Sequence, residues 1–385
     1  MAYTVLARRY RPEGFDSLVG QKSVADTLRN AIRMQRIGHA YLFSGPRGVG
    51  KTSAARIFAK ALNCETGTRP DPCLACETCR AIAKGTAVDI IEIDAASNNS
   101  VDDVRELRES AGYSPLRAPY KIFIIDEVHM VSRAGFNALL KILEEPPAHV
   151  VFIFATTEPQ KLPETILSRC QRFDFKPIGE EDIARRLDQI LSEEAISMDS
   201  EAVRLLARYA GGGLRDAQSC LDQLITYAAG SRIEARHLAE LLGLLGEDEL
   251  VNALEQAARG DLAGVLAFAA GLRGRRLRAG DVLDQLQRLL LVLLRMKHLG
   301  PAAGGTDIPP ALKERCQRYA DEQSSEGFLA ALELVQQGRN SLQRGLDPAT
   351  TLELALLNLA HLKTLPTLSE LMGMMVGGKK KSSAS

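Results

Sequence analysis

Eight residues near the N-terminus form the pattern of a phosphate-binding loop. Residues 45–52 read GPRGVGKT, a complete match to G-x-x-x-x-G-K-[ST], between an apolar run and a helical segment. Such glycines let backbone N–H groups surround phosphates, to which Lys51 adds a positive charge and the Thr52 hydroxyl a Mg²⁺ ligand. A chance Gly-rich turn is the alternative. The predicted nucleotide contacts here are Gly45, Pro46, Arg47, Gly48, Val49, Gly50, Lys51, Thr52 and Ser53.

Two carboxylates, Asp126 and Glu127, directly follow the apolar run KIFII. A strand that ends in acidic residues beside a phosphate loop can place one carboxylate on Mg²⁺ and the next beside the attacking water. We therefore assign Asp126 to the metal and Glu127 to the general base, a solvated strand end being the alternative. The two motifs predict an enzyme that hydrolyses a nucleoside triphosphate. They do not indicate what the energy is used for.

Four cysteines, Cys64, Cys73, Cys76 and Cys79, lie within sixteen residues that also contain Gly67. Four thiolates can hold one zinc ion tetrahedrally, and a closed Cys₄ set is typical of structural rather than catalytic zinc. Free thiols and an iron–sulfur cluster are the alternatives. The spacing therefore predicts a small zinc module.

The arrangement of apolar runs predicts an α/β fold followed by helices. Short apolar runs alternate with helical segments as in a buried parallel sheet, and strand patterns stop after about Pro177. The predicted strands are 40–43, 90–93, 122–125 and 150–154, and the predicted helices include 53–62, 132–143, 180–194, 200–210 and 215–229. We expect an ATPase domain at 1–178 with the zinc module at about 64–79, a helical lid at 179–242, a helical domain at 243–366 and a polar tail at 367–385.

Composition limits the class of protein. The 385 residues contain 48 Lys+Arg, 48 Asp+Glu and 45% hydrophobic residues, as expected of a globular chain with two or three domains. Residues 1–60 hold 11 Lys/Arg against 3 Asp/Glu. This excess of positive charge favours anion binding, a solvated face being the alternative interpretation. With no signal-like start and no apolar run near 20 residues, we expect a cytoplasmic protein without a membrane partner.

Long ordered motifs give the chain a family resemblance. Beside the phosphate loop stand VLARRYRP at 5–12, IDEVHM at 125–130, FNALLKILEEPP at 136–147 and ATTEPQKLPETILSRC at 155–170. From residue 3 to about 243 the sequence resembles the gamma/tau subunits of the bacterial DNA polymerase III clamp loader, an AAA+ ATPase family. Beyond 243 the resemblance is limited to helical character and position.

The resemblance implies further site residues. Thr157 would sense the γ-phosphate, and Arg169 would be an arginine finger that enters a neighbouring subunit's ATP site. Arg215, which follows three glycines, would report ATP from the lid, while Ala7 and Arg11 would lie on the adenine side of the site. By residue type alone, each could instead be an ordinary surface or strand-end side chain.

The resemblance also implies partners and a task. It predicts an ATPase, requiring ATP, Mg²⁺ and Zn²⁺, that acts within the DNA-directed DNA polymerase III holoenzyme. The partners would be other gamma/tau copies, delta and delta-prime subunits, the sliding clamp and primer–template DNA. The chain would open the clamp and load it on primed DNA during replication, with its C-terminal helices as a collar. Leu283, Leu286, Leu290, Leu293 and Leu294 repeat at helical spacing and favour contacts with partner helices over a core of the chain's own.

Three alternatives remain open at this point. A non-catalytic structural subunit of the same loader would be expected to have lost Lys51 or Asp126, both of which are present. A helicase, suggested by DEVH, needs a second nucleotide-domain lobe, and a protein unfoldase needs pore-loop aromatics. Candidate DNA contacts, for which helix capping is the simpler interpretation, are Asn98, Asn99 and Ser100.

Overall fold

The computed structural model describes residues 3–97, 101–273, 275, 277–304, 308 and 310–362. The chain divides into two compact units, Met1–Ala235 and Arg236–Ser385. Outside the described residues lie the polar tail predicted at 367–385 and the candidate DNA contacts Asn98, Asn99 and Ser100. The domain boundaries proposed at 178 and 242 stay predictions.

A parallel sheet forms the centre of the first unit, in the order β2-β3-β4-β1-β5. Its central strands are buried on both faces, which is why they read as continuous apolar runs. The predicted α/β class is confirmed. The strands are β1 (Ala40–Ser44), β2 (Ile90–Asp94), β3 (Lys121–Asp126), β4 (Val150–Thr156) and β5 (Gln171–Asp174).

Two strands differ from the expectation of buried apolar runs. β2 lies at one edge of the sheet, and its residues are only partly buried. β5, at the other edge, was not predicted, because only Phe173 of its four residues is buried. Phe173 packs edge-on against Phe43 of β1, with 5.7 Å between the ring centroids, and the two strands pair in parallel. A single apolar residue in four gives almost no strand pattern.

Helices cover the sheet and complete the first unit. Most of those predicted, including a helix at 101–109, occur within two residues of the expected bounds, whereas α1, α2, α4 and α7 were not foreseen. They are α1 (Leu6–Arg9), α2 (Lys22–Arg33), α3 (Lys51–Leu62), α4 (Glu77–Lys84), α5 (Val101–Ala111), α6 (Arg133–Glu144), α7 (Glu164–Leu167), α8 (Glu180–Glu193), α9 (Ser200–Tyr209) and α10 (Leu214–Ala228), with 3-10 turns at Phe15–Ser17, Val128–Met130 and Pro159–Lys161.

The second unit is helical in its described part. Its core contains Leu283, Leu286, Leu290 and Leu293, all almost fully buried within the unit. The prediction that these leucines form an exposed stripe for partner helices is therefore wrong, since the chain's own helices cover them. The helices are α11 (Ala235–Leu242), α12 (Glu247–Arg259), α13 (Leu262–Arg273), α14 (Ala279–Leu299), α15 (Pro310–Glu322), α16 (Ser325–Gln343) and α17 (Pro348–His361), with a 3-10 turn at Pro301–Gly304.

Among the described helices, none combines the length and the apolar content that a membrane crossing requires.

Candidate functional site

The loop at residues 45–52 joins the buried strand β1 to the first turn of α3. Gly45 has φ +147°, and a Cβ added there would lie 2.3 Å from the Phe175 carbonyl oxygen. Gly50, at the helix N-cap, has φ +102°. Both conformations suit glycine and strain other residues, so the sequence pattern is explained by the path of the backbone. The loop ends at the N-terminus of α3, where backbone N–H groups without a partner in the helix and the helix dipole favour anions.

Lys51 begins α3 and is folded back along the loop. Its Nζ donates hydrogen bonds of 2.7 Å to the carbonyl oxygens of both Gly45 and Pro46. Burial lowers the pKa of the Lys51 ammonium, against the opposing effect of the Glu127 and Asp126 carboxylates. A nearly buried cation with carbonyl partners can exchange those partners for phosphate oxygens with little further loss of hydration.

Thr52 and Asp126 meet at the carboxyl end of the sheet. The Thr52 hydroxyl donates to Asp126 Oδ2 at 2.7 Å, although 74 residues separate the two. A hydroxyl and a carboxylate oxygen are hard oxygen ligands, which Mg²⁺ prefers, and Mg²⁺ usually takes its remaining ligands from phosphates and water. The donor set therefore fits a magnesium ion carried by a nucleotide.

Glu127 is held in an unusual backbone conformation, with φ +46° and ψ +46°. Its Oε2 accepts hydrogen bonds from the Thr157 hydroxyl at 3.1 Å and from the Thr157 N–H at 3.3 Å. The same oxygen lies 3.4 Å from Nδ1 of the nearly buried His129, whose Nε2 lies 3.2 Å from Glu158. Left-handed conformations of residues other than glycine are strained and concentrate at functional sites. Sequence reasoning included Glu127 and Thr157 but missed His129, which has no spacing signal of its own.

A cavity of about 750 Å³ joins the loop, the acidic strand end and the lid helix α10. Arg215 lines it, and the Arg215 backbone N–H donates to the Gly48 carbonyl oxygen at 3.4 Å. Ala7 and the half-buried Arg11 also line the cavity, and the pKa of Arg11 is lowered by burial and by neighbouring arginines. The lining brings together most of the predicted contacts: Ala7, Arg11, Arg47, Gly48, Val49, Gly50, Lys51, Thr52, Ser53, Asp126, Glu127 and Arg215.

Other predicted site residues do not line this cavity. Gly45 and Pro46 contribute carbonyls to Lys51 instead, and Thr157 reaches the site through Glu127. Arg169 follows α7 and forms an ion pair with Glu144, with 2.7 Å between Nη2 and Oε1. Its position outside the lining is compatible with action on a site in another molecule.

The four cysteines converge as predicted, with their Sγ atoms all within 4.8 Å of one another. Zn–S bonds of about 2.3 Å in a tetrahedron imply sulfur separations of about 3.8 Å, so a small adjustment would suffice. Backbone N–H groups point at the sulfurs, from Cys76 to Cys73 and from Cys79 to Cys76, both at 3.3 Å. Hydrogen bonds from the backbone lower the pKa of the Cys73 thiol to about 6, while burial raises that of Cys79. The donor set fits a closed structural zinc site.

Models of three protein families match consecutive stretches of the chain. "DNA polymerase III, delta subunit" matches residues 20–179, "DNA polymerase III clamp loader subunit, ATPase lid domain" matches 182–230, and "DNA polymerase III subunits gamma and tau domain III" matches 233–375.

Curated relatives match over most of the chain. DNA polymerase III subunit tau of Salmonella typhimurium is 47% identical over 83% of this chain and 49% of its own length. DNA polymerase III subunit gamma of Buchnera aphidicola is 34% identical over 95% of this chain and 99% of its own length. The chain therefore spans about half the length of the tau relative.

A solved structure is also similar. The RuvB Holliday junction branch migration motor of Thermotoga maritima matches in structure over 68% of this chain and 85% of its own, with a TM-score of 0.45 and 19% identity.

Proposed function

Because this chain belongs to the family of gamma and tau subunits of DNA polymerase III, we propose that it is the ATPase of a clamp loader. It would bind ATP with Mg²⁺ and couple hydrolysis to opening a sliding clamp and loading it on primed DNA. The observation that carries this proposal is the convergence of Lys51, Thr52 and Asp126 on one cavity that Arg215 of the lid helix also lines. The polymerase III holoenzyme, of which this chain would be a part, would carry out DNA synthesis, and the chain would act in the cytoplasm.

In the proposed reaction, each residue of the cavity has a separate task. The loop N–H groups and Lys51 would hold the phosphates, and Thr52 and Asp126 would hold Mg²⁺, which offsets phosphate charge when bound. Glu127 would accept the proton of the attacking water. Thr157 supports this role because its two hydrogen bonds fix the position of the Glu127 carboxylate. Arg215 would report the presence of nucleotide to the lid.

The arginine that completes the site would come from a neighbouring copy or partner subunit. Arg169 is partly exposed and lies outside the lining of its own chain's cavity. An arginine finger supplied in trans stabilises charge on the transferred phosphoryl group. Hydrolysis would then depend on the geometry of an assembly with other gamma/tau copies, delta and delta-prime subunits.

A structural zinc ion is the second part of the proposal, with Cys64, Cys73, Cys76 and Cys79 as ligands. Cys76→Ser should remove a ligand and open the module, because a Cys₄ site supplies its own folding energy. We expect the wild-type chain to contain one zinc per chain by atomic emission spectroscopy and the variant to lose nearly all of it. Cys220→Ser, at a buried cysteine far from the cluster in sequence, is the control and should keep its zinc. A wild-type chain free of zinc, or rich in iron and sulfide, would contradict the assignment.

The function is tested by ATPase measurements on reconstituted mixtures. The chain alone should turn over slowly, and addition of delta, delta-prime, the sliding clamp and primed DNA should raise the rate steeply. Omission of either the clamp or the DNA from the full mixture should remove most of that increase. Turnover that is indifferent to both would remove the clamp-loader function while leaving an ATPase.

A non-catalytic structural subunit is the principal alternative. It is disfavoured because the loop geometry, Lys51 and the Thr52–Asp126 contact are all present. Binding of a labelled ATP analogue to the purified chain would distinguish the two, since a structural subunit need not bind nucleotide.

A further inference from the structure

One ion pair outside the nucleotide cavity involves Arg169, the arginine that we propose acts in the ATP site of a neighbouring subunit. Arg169 Nη2 lies 2.7 Å from Oε1 of Glu144, and its Nη1 donates to the Thr165 carbonyl oxygen at 2.8 Å. Glu144 is the last residue of α6, whereas Arg169 follows α7. Side chains of both helices, Leu143 and Ile166, are buried in the same hydrophobic cluster. The position of the guanidinium is therefore set by two packed elements.

The pair has little to do with the stability of the fold. The side chain of Arg169 is 33% exposed and that of Glu144 is 52% exposed, and exposed ion pairs contribute little to folding. Glu144 also stands at the C-terminus of α6, where the helix dipole disfavours a negative charge. A carboxylate kept in an unfavourable position, and paired with a candidate catalytic group, points to a role in orientation.

Geometry makes such orientation useful. A guanidinium has five N–H donors in a rigid planar fork, so the two short bonds of Arg169 leave other donors for a phosphate. A long side chain without such contacts would lose more rotamer freedom when it engages a ligand. An arginine that is already held in place loses less rotamer freedom when it binds the phosphate.

We propose that Glu144 is a positioning residue that holds Arg169 ready to contact the γ-phosphate of a nucleotide bound by an adjacent subunit. This inference rests on the proposed function, in which Arg169 acts in trans. Glu144 lies outside the lining of its own chain's cavity and would act through its contact with Arg169.

The test compares Glu144→Ala with Glu145→Ala, a matched change at the exposed neighbouring glutamate. In the reconstituted complex, Glu144→Ala should lower kcat about 10- to 100-fold, because displacement of a catalytic group by about an ångström has effects of this size. KM for ATP and the melting temperature should stay unchanged, and Glu145→Ala should behave as wild type. Glu144→Gln should recover part of the rate, since its amide oxygen still accepts a hydrogen bond.

A double variant distinguishes orientation from a general structural effect. If Glu144 acts through Arg169, then Glu144→Ala should cause no further loss in an Arg169→Ala background. Unchanged or faster turnover in Glu144→Ala would overturn the inference, and so would an equal loss from Glu144→Ala in the wild-type and Arg169→Ala backgrounds. In either case, a slow Arg169→Ala variant would still support the proposed function. If Arg169→Ala itself turns over normally, the function in trans fails and this inference fails with it.

Discussion

Lys51→Ala is expected to lower the rate of ATP hydrolysis about 10²–10³-fold and to weaken nucleotide binding. The ammonium lies at the start of α3, among the loop carbonyls and beside two carboxylates, where a phosphate would be bound. Loss of one preorganised electrostatic partner in such a site costs about 10²–10³ in rate. Steady-state phosphate release and fluorescence titration with a labelled ATP analogue would measure the two effects.

The matched control for this variant is Lys22→Ala. Lys22 is an exposed lysine in the first turn of α2, and it is not among the residues that line the cavity. Its removal should leave both binding and hydrolysis unchanged. Normal turnover in Lys51→Ala would mean that the cavity at the phosphate loop is not the catalytic site.

Arg169→Ala is expected to have the largest effect of the variants that still bind nucleotide. Removal of an arginine finger lowers the rate about 10³–10⁵-fold. Binding of ATP to the isolated chain should persist, because Arg169 lies outside the lining of that chain's cavity. For this variant, the rate of hydrolysis in the reconstituted complex should therefore fall, whereas nucleotide binding by the chain alone should stay unchanged.

Arg172→Ala is a suitable control for Arg169→Ala. Arg172 is an exposed arginine three residues further on, in the edge strand β5. We expect it to behave as wild type in both assays. An equal loss in the two variants would indicate a general effect of surface charge rather than a finger.

Local pattern was sufficient to predict the centre of the sheet and the phosphate loop. β1, β3 and β4 are buried on both faces, so each reads as an apolar run, and the loop requires glycine at defined backbone angles. The structure extends these strands into polar residues such as Ser44 and Asp126, because backbone pairing continues beyond the apolar part. The proposed Mg²⁺ ligand Asp126 lies at this carboxyl end of β3.

Contacts between distant segments could not be predicted in the same way. The leucine repeat of α14 has the same spacing whether its own unit or a partner covers it, and here its own unit does. The contact of His129 with Glu127 depends on a 3-10 turn, and that of Glu144 with Arg169 spans 25 residues. β5 carried too few apolar residues to register as a strand. Each of these features depends on tertiary packing rather than on a local period.

Mixing two inactive variants tests the central claim most directly. Lys51→Ala retains Arg169 but lacks an intact phosphate loop, whereas Arg169→Ala can bind ATP but lacks the finger. Neither variant should therefore be active alone in the reconstituted complex. In a head-to-tail assembly of an equal mixture, roughly a quarter of the junctions would unite an intact phosphate loop with an intact finger. We predict that the mixture regains a corresponding part of the wild-type ATPase rate. A mixture as inactive as its components would contradict hydrolysis shared between neighbouring subunits.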